Sequence, residues 1–329
     1  MTYLITAKEV ESVLTYPLSL KTVETAFKAF GQGKTCQPPK SYLIFKDGDL
    51  RSMPAYINTT SMKIAGIKSV NVHPDNHNKF GLPTVMATIL LTDPKNGFNI
   101  AVLDGTHITN MRTGASGGVA TKYLSRKDSK VMALIGAGAQ AYTQLHHIML
   151  TRKLKEVRVY SRSNESMDRF CKKMSKVYPR VSFLTEPDGK KACRGADIVT
   201  ATTPVRKPII RKSWIGPGTH INGIGADAKG KQELETALTK SCKIVIDEWQ
   251  QASHSGEINA PISRGKLNKK DIYAEIGEII AGKKKGRTSD DEITLFDSTG
   301  LAIQDISTAY VVYNALMKKQ KRPKSINMF

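Results

Sequence analysis

Cysteine is scarce in this chain: four residues in 329, Cys36, Cys171, Cys193 and Cys242, with no C-x-x-C pair and no histidine grouping beside any of them. That scatter suggests neither a disulfide framework nor a zinc site. Long apolar runs are missing too. No stretch reaches the roughly 18 uninterrupted apolar residues of a membrane span. The opening segment, MTYLITAKEVESVL, has Glu9 and Glu11 where a secretory leader needs an apolar core, so the expectation is a cytoplasmic protein with no membrane partner. Acidic residues are outnumbered, 29 against 50 Lys and Arg, which leaves a net charge of +21. Such a charge raises the question of nucleic acid. Yet the lysines are spread along the chain, and the densest runs, 283–285 and 318–324, carry no interleaved aromatics. The charge reads as solvated surface, able to attract anionic ligands by its long-range field. Internal repeats and low-complexity tracts are also absent.

What is present suits two domains, since 329 residues exceed one ordinary core. One segment, KVMALIGAGAQAYTQLHHIML, runs from an apolar strand (131–135) through Gly136-Ala-Gly138-Ala-Gln-Ala141 into apolar residues at helical spacing. This is a G-x-G-x-x-A fingerprint in the context it requires. Gly136 allows the tight turn, Gly138 lets the backbone approach a pyrophosphate, and Ala141 lets the helix pack closely on its strand. A second strand at 157–160 follows about 25 residues on, as a dinucleotide-binding βαβ unit demands. At the end of that strand an acidic residue would bind the ribose hydroxyls and repel a 2′-phosphate. This chain has Ser161-Arg162-Ser163 instead, a guanidinium and two hydroxyls. NADP(H) is therefore the expected cofactor, with NAD(H) possible.

Strand and helix alternate from residue 130 onward, with strands at 131–135, 157–160, 181–184, 197–202, 220–224, 243–247 and 293–297. The fold class is α/β, a parallel sheet covered on both faces. The first 30 residues read as two helices, the first opened by Thr6-Ala-Lys-Glu9 in capping-box form. Strand-like runs then fall at 41–45, 62–72, 84–92 and 99–105, separated by short turns, which suggests a mostly antiparallel sheet. Residues 107–126 read as a long bridging helix. A final helix, 301–320, is too apolar to stand alone. Its residues Ile303, Ile306, Ala309, Tyr310, Tyr313 and Leu316 recur at helical intervals and offer a surface for core packing or for a second subunit.

Three residues are candidates for chemistry, although a lone carboxylate such as Asp227 in a turn also reads as a plain turn-former. Asp227 lies in a Gly-rich turn just past a strand end, where open α/β sheets place their sites. Lys68 interrupts an apolar strand, IAGIKSVNV, and Arg112 sits at the junction of the two regions in NMRTGA. A buried lysine needs an anion or another partner, unless it reaches solvent at an edge. His73 and His220 read as structural hydrogen-bond donors, and no pair among the histidines, His146, His147 and His254 included, has metal-ligand spacing.

The motifs QPPKSYL, GDLRSMPA, GIKSVNVHP, GLPTVMA, MRTGASGG, IGAGAQA, HINGIGADAKGKQE, GEIN and FDSTGLAIQD follow one another along nearly the whole chain. In this order the sequence resembles the ornithine cyclodeaminase/mu-crystallin family, and within it the archaeal-type alanine dehydrogenases. The resemblance implies a Rossmann domain at 113–303 and an α+β substrate-binding and dimerisation domain at 1–112, to which residues 304–329 return, in a homodimer. It implies Lys68 and Asp227 as catalytic, and Lys40, Arg51, Met53, Lys68 and Arg112 around the substrate. It further implies Arg112, Thr113, Gly136, Gly138, Ala139, Gln140, Ser161, Arg162, Ser163, Gly225, Ala226, Asp227, Lys231 and Ser298 around the dinucleotide, and no metal. The activity implied is interconversion of L-alanine, or a similar small amino acid, with its 2-oxo acid and ammonium. Two alternatives stay open: an ornithine cyclodeaminase, and a mu-crystallin-like ketimine reductase or ligand-binding protein. The cyclodeaminases present an acidic residue before the x-M-P turn to hold a distal ammonium; Arg51-Ser-Met53-Pro54 would repel one, which favours a substrate without a distal amine.

Overall fold

The computed structural model describes residues 1–320 and 322–328. The chain divides into two compact units, Met1–Arg112 with Leu301–Phe329, and Thr113–Gly300.

In the first unit the chain runs β1 (Thr2–Ile5), α1 (Ala7–Glu11), α2 (Tyr16–Gly31), β2 (Thr35–Cys36), β3 (Ser41–Ile44), β4 (Asp49–Asn58), β5 (Lys63–Val72), α3 (Asn76–Phe80), β6 (Val85–Thr92) and β7 (Asn99–Asp104). The helix α4 (Thr106–Leu124) starts here and ends in the other unit. A C-terminal helix (Ala302–Met317) and a short C-terminal strand (Lys324–Ile326) complete the unit. The sheet order is C-terminal strand, β1, β7, β6, β5, β4, β2, with β3 also on β4. All pairings are antiparallel except β1 with β7.

Four strands of this unit, β1, β2, β4 and the C-terminal strand, lie outside the sequence reading, and β1 and β4 show why. The first 30 residues hold β1 before the two helices, and the Glu9 carboxylate does accept the Thr6 N–H at 2.8 Å to open α1. β4 was hidden by Arg51, Ser52 and Pro54 in its middle, since proline is normally kept out of central strands. The pairing explains its tolerance. β5 pairs along the full length of β4, whereas on the other side β3 covers only residues 49–52 and β2 only 56–57, so Pro54 sits at a gap in the ladder.

Alternation gives β4 a buried face of Arg51, Met53, Ala55 and Ile57. Register places these beside Val70, Lys68, Gly66 and Ile64 of β5. The C-terminal helix covers this face and also packs on α2. It comes so close that a Cβ on Gly66 would lie 2.9 Å from Ile306 Cδ1 and 2.5 Å from the Leu90 carbonyl oxygen. Ile303, Ile306, Ala309 and Leu316 are therefore consumed inside the unit. Tyr310 and Tyr313 of the same helix remain half-exposed, and further apolar surface lies at Leu43, Ile44 and Phe45 of the β3 hairpin and at Phe80 and Leu82, all exposed.

The second unit contains β8 (Val131–Ile135), α5 (Ala139–Met149), β9 (Glu156–Tyr160), α6 (Asn164–Val177), β10 (Ser182–Thr185), β11 (Ile198–Ala201), β12 (His220–Gly223), β13 (Lys243–Ile246), β14 (Ile272–Glu275) and β15 (Thr294–Asp297). Shorter helices lie at Gly189–Cys193, Thr236–Ser241, Trp249–Ser255, Asn259–Ser263 and Ile276–Ile280. Every pairing is parallel, in the order β10-β9-β8-β11-β12-β15-β13-β14. Both faces are covered, which is why these strands read as continuous apolar runs. Met132, Leu134, Val157 and Val159 pack with α5 and α6, while Ala133, Ile135, Val199 and Ala201 belong to the opposite core. The polar strand His-Ile-Asn-Gly survives burial because His220 bonds Thr294 Oγ1 (2.9 Å) and Asn222 Oδ1 (3.1 Å), and Asn222 donates to Thr121 Oγ1 (3.0 Å). The strand order reverses direction between β8 and β11, the switch point at which doubly wound sheets open a crevice.

Candidate active site

In the second unit the glycine loop leaves β8 at that switch point. Gly136 has φ +106°, and a Cβ there would lie 2.5 Å from Thr202 Oγ1. Only glycine makes this turn without strain or collision. Gly138 is the extended N-cap of α5, no side chain caps the helix, and a Cβ on Gly138 would meet nothing within 4 Å. The helix thus begins at Ala139 with open space beside its N-cap glycine, a setting that fits a pyrophosphate. Ala141 is fully buried on the strand side, as close packing requires.

Other residues of this unit group around the strand ends. Gly225 and Ala226 lead from β12 to Asp227, whose Oδ1 lies 2.5 Å from Lys231 Nζ. Lys231 is thus engaged by the carboxylate. Ser298, just past β15, is 3.2 Å from Ser116 Oγ, and the Thr113 carbonyl accepts a bond from Gln144 Nε2 at 2.9 Å. After β9 the Ser161 N–H donates to Met167 Sδ and the Ser163 hydroxyl oxygen caps α6 by accepting from the Ser166 N–H. The Arg162 side chain is exposed, and its guanidinium has no hydrogen bond or ion pair among the described residues.

In the first unit, Lys68 and Arg112 meet one carboxylate. Lys68 is 1% exposed, and its Nζ lies 2.8 Å from Asp305 Oδ2 and 3.4 Å from Thr109 Oγ1. Arg112 Nε donates to Asp305 Oδ1 at 3.0 Å, and its Nη1 to Gln304 Oε1 at 3.0 Å. Gln304 is itself fixed by the Leu301 N–H at 3.1 Å. Asp305 is fully buried at the start of the C-terminal helix. Among the described residues Lys68 and Arg112 share the one Asp305 carboxylate, so with both protonated the centre carries more positive than negative charge. Burial pushes the Lys68 ammonium down to about 7, against the attraction of Asp305 and with the repulsion of Arg112 and Lys40.

Arg51 and Met53 stand on the same strand face, Met53 directly across from Lys68. Arg51 carries less free charge than its sequence position suggested. Its guanidinium grips Asp49 two residues away at 2.9 and 3.0 Å, and lies 5.3 Å from the centre of the Tyr42 ring. The repulsion of a distal ammonium expected from Arg51 is accordingly weakened, because Asp49 neutralises it.

Sequence reasoning missed Asp305 and Gln304. A signal was available: Asp305 is the one charged residue between Ser298 and Met317, on an otherwise apolar helix. It also missed Glu233, fully buried six residues after Asp227 in sequence, whose carboxyl burial raises to about 7 against the hydrogen bonds it accepts. Among the described residues no group of three or more His, Cys, Asp and Glu side chains is placed to hold a metal, and no helix is long and apolar enough to cross a membrane.

A doubly wound parallel sheet with an uncapped glycine-loop helix at its switch point defines a dinucleotide-binding α/β protein, here joined to a second unit with a buried cationic centre. The chain belongs to the ornithine cyclodeaminase/mu-crystallin family, whose model matches residues 1–320. It is 48% identical over 318 residues to the alanine dehydrogenase of Archaeoglobus fulgidus, covering 96% of each chain. Among solved structures it resembles an archaeal alanine dehydrogenase dimer with bound NAD, with a TM-score of 0.95 and 46% identity, covering 100% of this chain and 99% of that one. It also resembles the Thermococcus litoralis Δ1-pyrroline-2-carboxylate reductase in complex with NADH and L-proline, with a TM-score of 0.92 and 36% identity over 96% and 98% of the two chains.

The charge balance at Lys68 is directly measurable. With lysine Cε carbons labelled and followed by NMR, one lysine should titrate near 7 instead of near the ordinary 10.5. Since this value lies below that of the unfolded chain, the protonated form strains the fold below about pH 7, and stability should rise as pH climbs from there toward 10.5. Lys68→Ala should remove the resonance, and Asp305→Asn, which deletes the attraction, should move it lower. If every lysine titrates near the ordinary value, the buried centre is wrongly described.

Proposed function

We propose that the protein is a nicotinamide-dependent amino-acid dehydrogenase that interconverts L-alanine with pyruvate and ammonium. The observation that carries this reading is the buried pair of cations, Lys68 and Arg112, matched among the described residues by the one carboxylate of Asp305. A substrate carboxylate supplies the missing negative charge, and guanidinium and ammonium donors give it charge-assisted hydrogen bonds. Lys40 adds to the positive field, since it disfavours the charged form of Lys68. Met53, buried beside Lys68, offers an apolar wall that suits a short side chain. The domain containing these residues is the substrate-binding domain on this reading, and the Thr113–Gly300 unit holds the dinucleotide.

When bound, the nicotinamide supplies or accepts the hydride. The protein's own groups orient the substrate and manage protons. Forming the imine from a 2-oxo acid and ammonium, and releasing it in the reverse direction, needs a proton held near the nitrogen. Asp227, with Lys231 fixing its carboxylate, is assigned that role or the positioning of a water, and Lys68, poised near neutrality, is assigned the carboxylate and the developing charge beside it.

NADP(H) is the preferred cofactor in this proposal. The exposed Arg162 guanidinium is uncommitted among the described residues, and the flanking Ser161 and Ser163 hydroxyls retain protons to donate. A 2′-phosphate contact of this kind is worth roughly 1.5 to 3 kcal/mol, which corresponds to a tenfold to hundredfold preference. A second reading is favoured by the relative crystallised with L-proline: reduction of a cyclic imine carboxylate, which needs the same cations and the same hydride.

Purified protein with NADPH or NADH should be offered ammonium with a panel of 2-oxo acids, Δ1-pyrroline-2-carboxylate alone, and, separately, NAD with L-ornithine. Pyruvate should be reduced best, with kcat/KM higher for NADPH, and Ser161→Asp should move the preference toward NADH. Proline formed from ornithine without net NADH would overturn the dehydrogenase reading; the cyclic imine as best substrate would establish the second one. Equal kcat/KM for the two cofactors would sink the assignment of Arg162.

The protein is further proposed to be a homodimer. Support comes from the exposed Leu43, Ile44 and Phe45, from Phe80 and Leu82, and from the dimeric relative. Large exposed apolar groups gathered in short segments are uncommon on lone subunits. Light scattering at micromolar concentration should give twice the 36.2 kDa of one chain, and Leu43→Glu with Ile44→Glu should lower it. A single-chain mass for the unaltered protein rules the dimer out.

A further inference from the structure

Three buried carboxylates in the Thr113–Gly300 unit are linked through the backbone, each holding the main chain of the next. Asp297, the last residue of β15, accepts the N–H groups of Glu257 (2.8 Å) and Ile258 (3.1 Å). Glu257 accepts those of Glu233 (2.9 Å) and Leu234 (2.7 Å). Glu233 in turn accepts the Gly225 N–H at 2.8 Å, and the Thr203 N–H and hydroxyl at 2.6 Å each. All three are fully buried.

The last link stands out by where its bonds go. Thr203 lies two residues past β11 and Gly225 two residues past β12, so one carboxylate ties together the loops that leave two neighbouring strands. These loops touch backbone to backbone: a Cβ on Gly225 would lie 2.1 Å from the Thr203 carbonyl oxygen and 2.6 Å from Glu233 Oε2. Asp227 follows two residues later. A buried carboxylate is costly to keep and is often replaceable by apolar packing where stability is the only demand. Here its three donors all come from loops at the strand ends, where doubly wound sheets place their chemistry.

We propose that Glu233 is a positioning residue: its carboxylate brackets the loops after β11 and β12 and so fixes where Asp227 stands. The proposal rests on the reading that Asp227 serves the reaction, although the bracket itself can be tested without any substrate. Glutamine at this position keeps the shape but replaces one acceptor oxygen with an NH2 group, which faces either the Gly225 or the Thr203 donors without accepting from them. A buried donor left without its acceptor should free the loop locally.

Amide hydrogen exchange on the whole unliganded protein separates the outcomes. In Glu233→Gln, segments 202–206 and 224–229 should exchange about tenfold faster, the loss expected for one net hydrogen bond, with β9 and β10 unchanged. Thr203→Val, which removes only the hydroxyl donor, should quicken the same segments less. In the turnover assay with NADPH, pyruvate and ammonium, kcat of Glu233→Gln should fall about tenfold at saturating cofactor, and Glu233→Asp should recover part of the loss. Unchanged exchange in both variants overturns the bracket, as does acceleration spread over the whole unit. Faster local exchange with normal kcat overturns the positioning role. Should the unaltered protein turn over none of the amino- or oxo-acid substrates, the functional reading fails, while the exchange pattern still decides the bracket.

Discussion

The carboxylate of Asp305 holds two buried cations, and much of the first unit is arranged to make that possible. Lys68 and Arg112 could not stay charged and desolvated without an anion, because an unpaired buried charge costs several kcal/mol. Neither β5 nor α4 brings one. It arrives from the far end of the sequence, on the C-terminal helix, which packs on β4, β5, β6 and α2 and brings Ile306 against Gly66. The long return of the chain to its first unit is thus tied to chemistry as well as to core packing. One anion serves both cations among the described residues, and on the proposed reading the centre favours a ligand that brings negative charge.

The second unit solves a related problem with opposite signs. Its carboxylates Asp297, Glu257 and Glu233 are buried among backbone N–H groups instead of cations. Burial raises Asp297 to about 8 and Glu233 to about 7, and Glu257 well above its ordinary value. The donors offset that cost only partly. Fixed loops at the strand ends are the return, and Asp227 lies on one of them.

Much of this was legible in the sequence, for identifiable reasons. The Rossmann half announces itself because a strand, two glycines, a small residue and a helix at set spacing leave few alternatives, and because strands buried on both faces read as apolar runs. Lys68 was visible as a charge inside an apolar strand. β4 was not, because Pro54 disguised it and only the gap between β2 and β3 makes it acceptable. The partner of Arg51 lay two residues away in plain view, yet nothing in the sequence says whether Asp49 turns toward it. Asp305 and Glu233 were hidden for a deeper reason: their roles depend on side chains and backbone tens to hundreds of positions distant. The apolar face of the C-terminal helix misled in a useful way. Periodicity tells that a face is buried but not against what, and here the sheet and α2 take Ile303, Ile306, Ala309 and Leu316 while Tyr310 and Tyr313 stay half-exposed.

The central claim is that the Lys68–Asp305–Arg112 centre selects a ligand by its negative charge. Calorimetric titration of the dinucleotide-saturated protein with pyruvate and with pyruvamide, its uncharged amide of nearly the same shape, tests this most directly. The account predicts that pyruvate binds at least about tenfold more tightly, as charge-assisted bonds to two buried cations require. Equal affinity for the acid and the amide would contradict it.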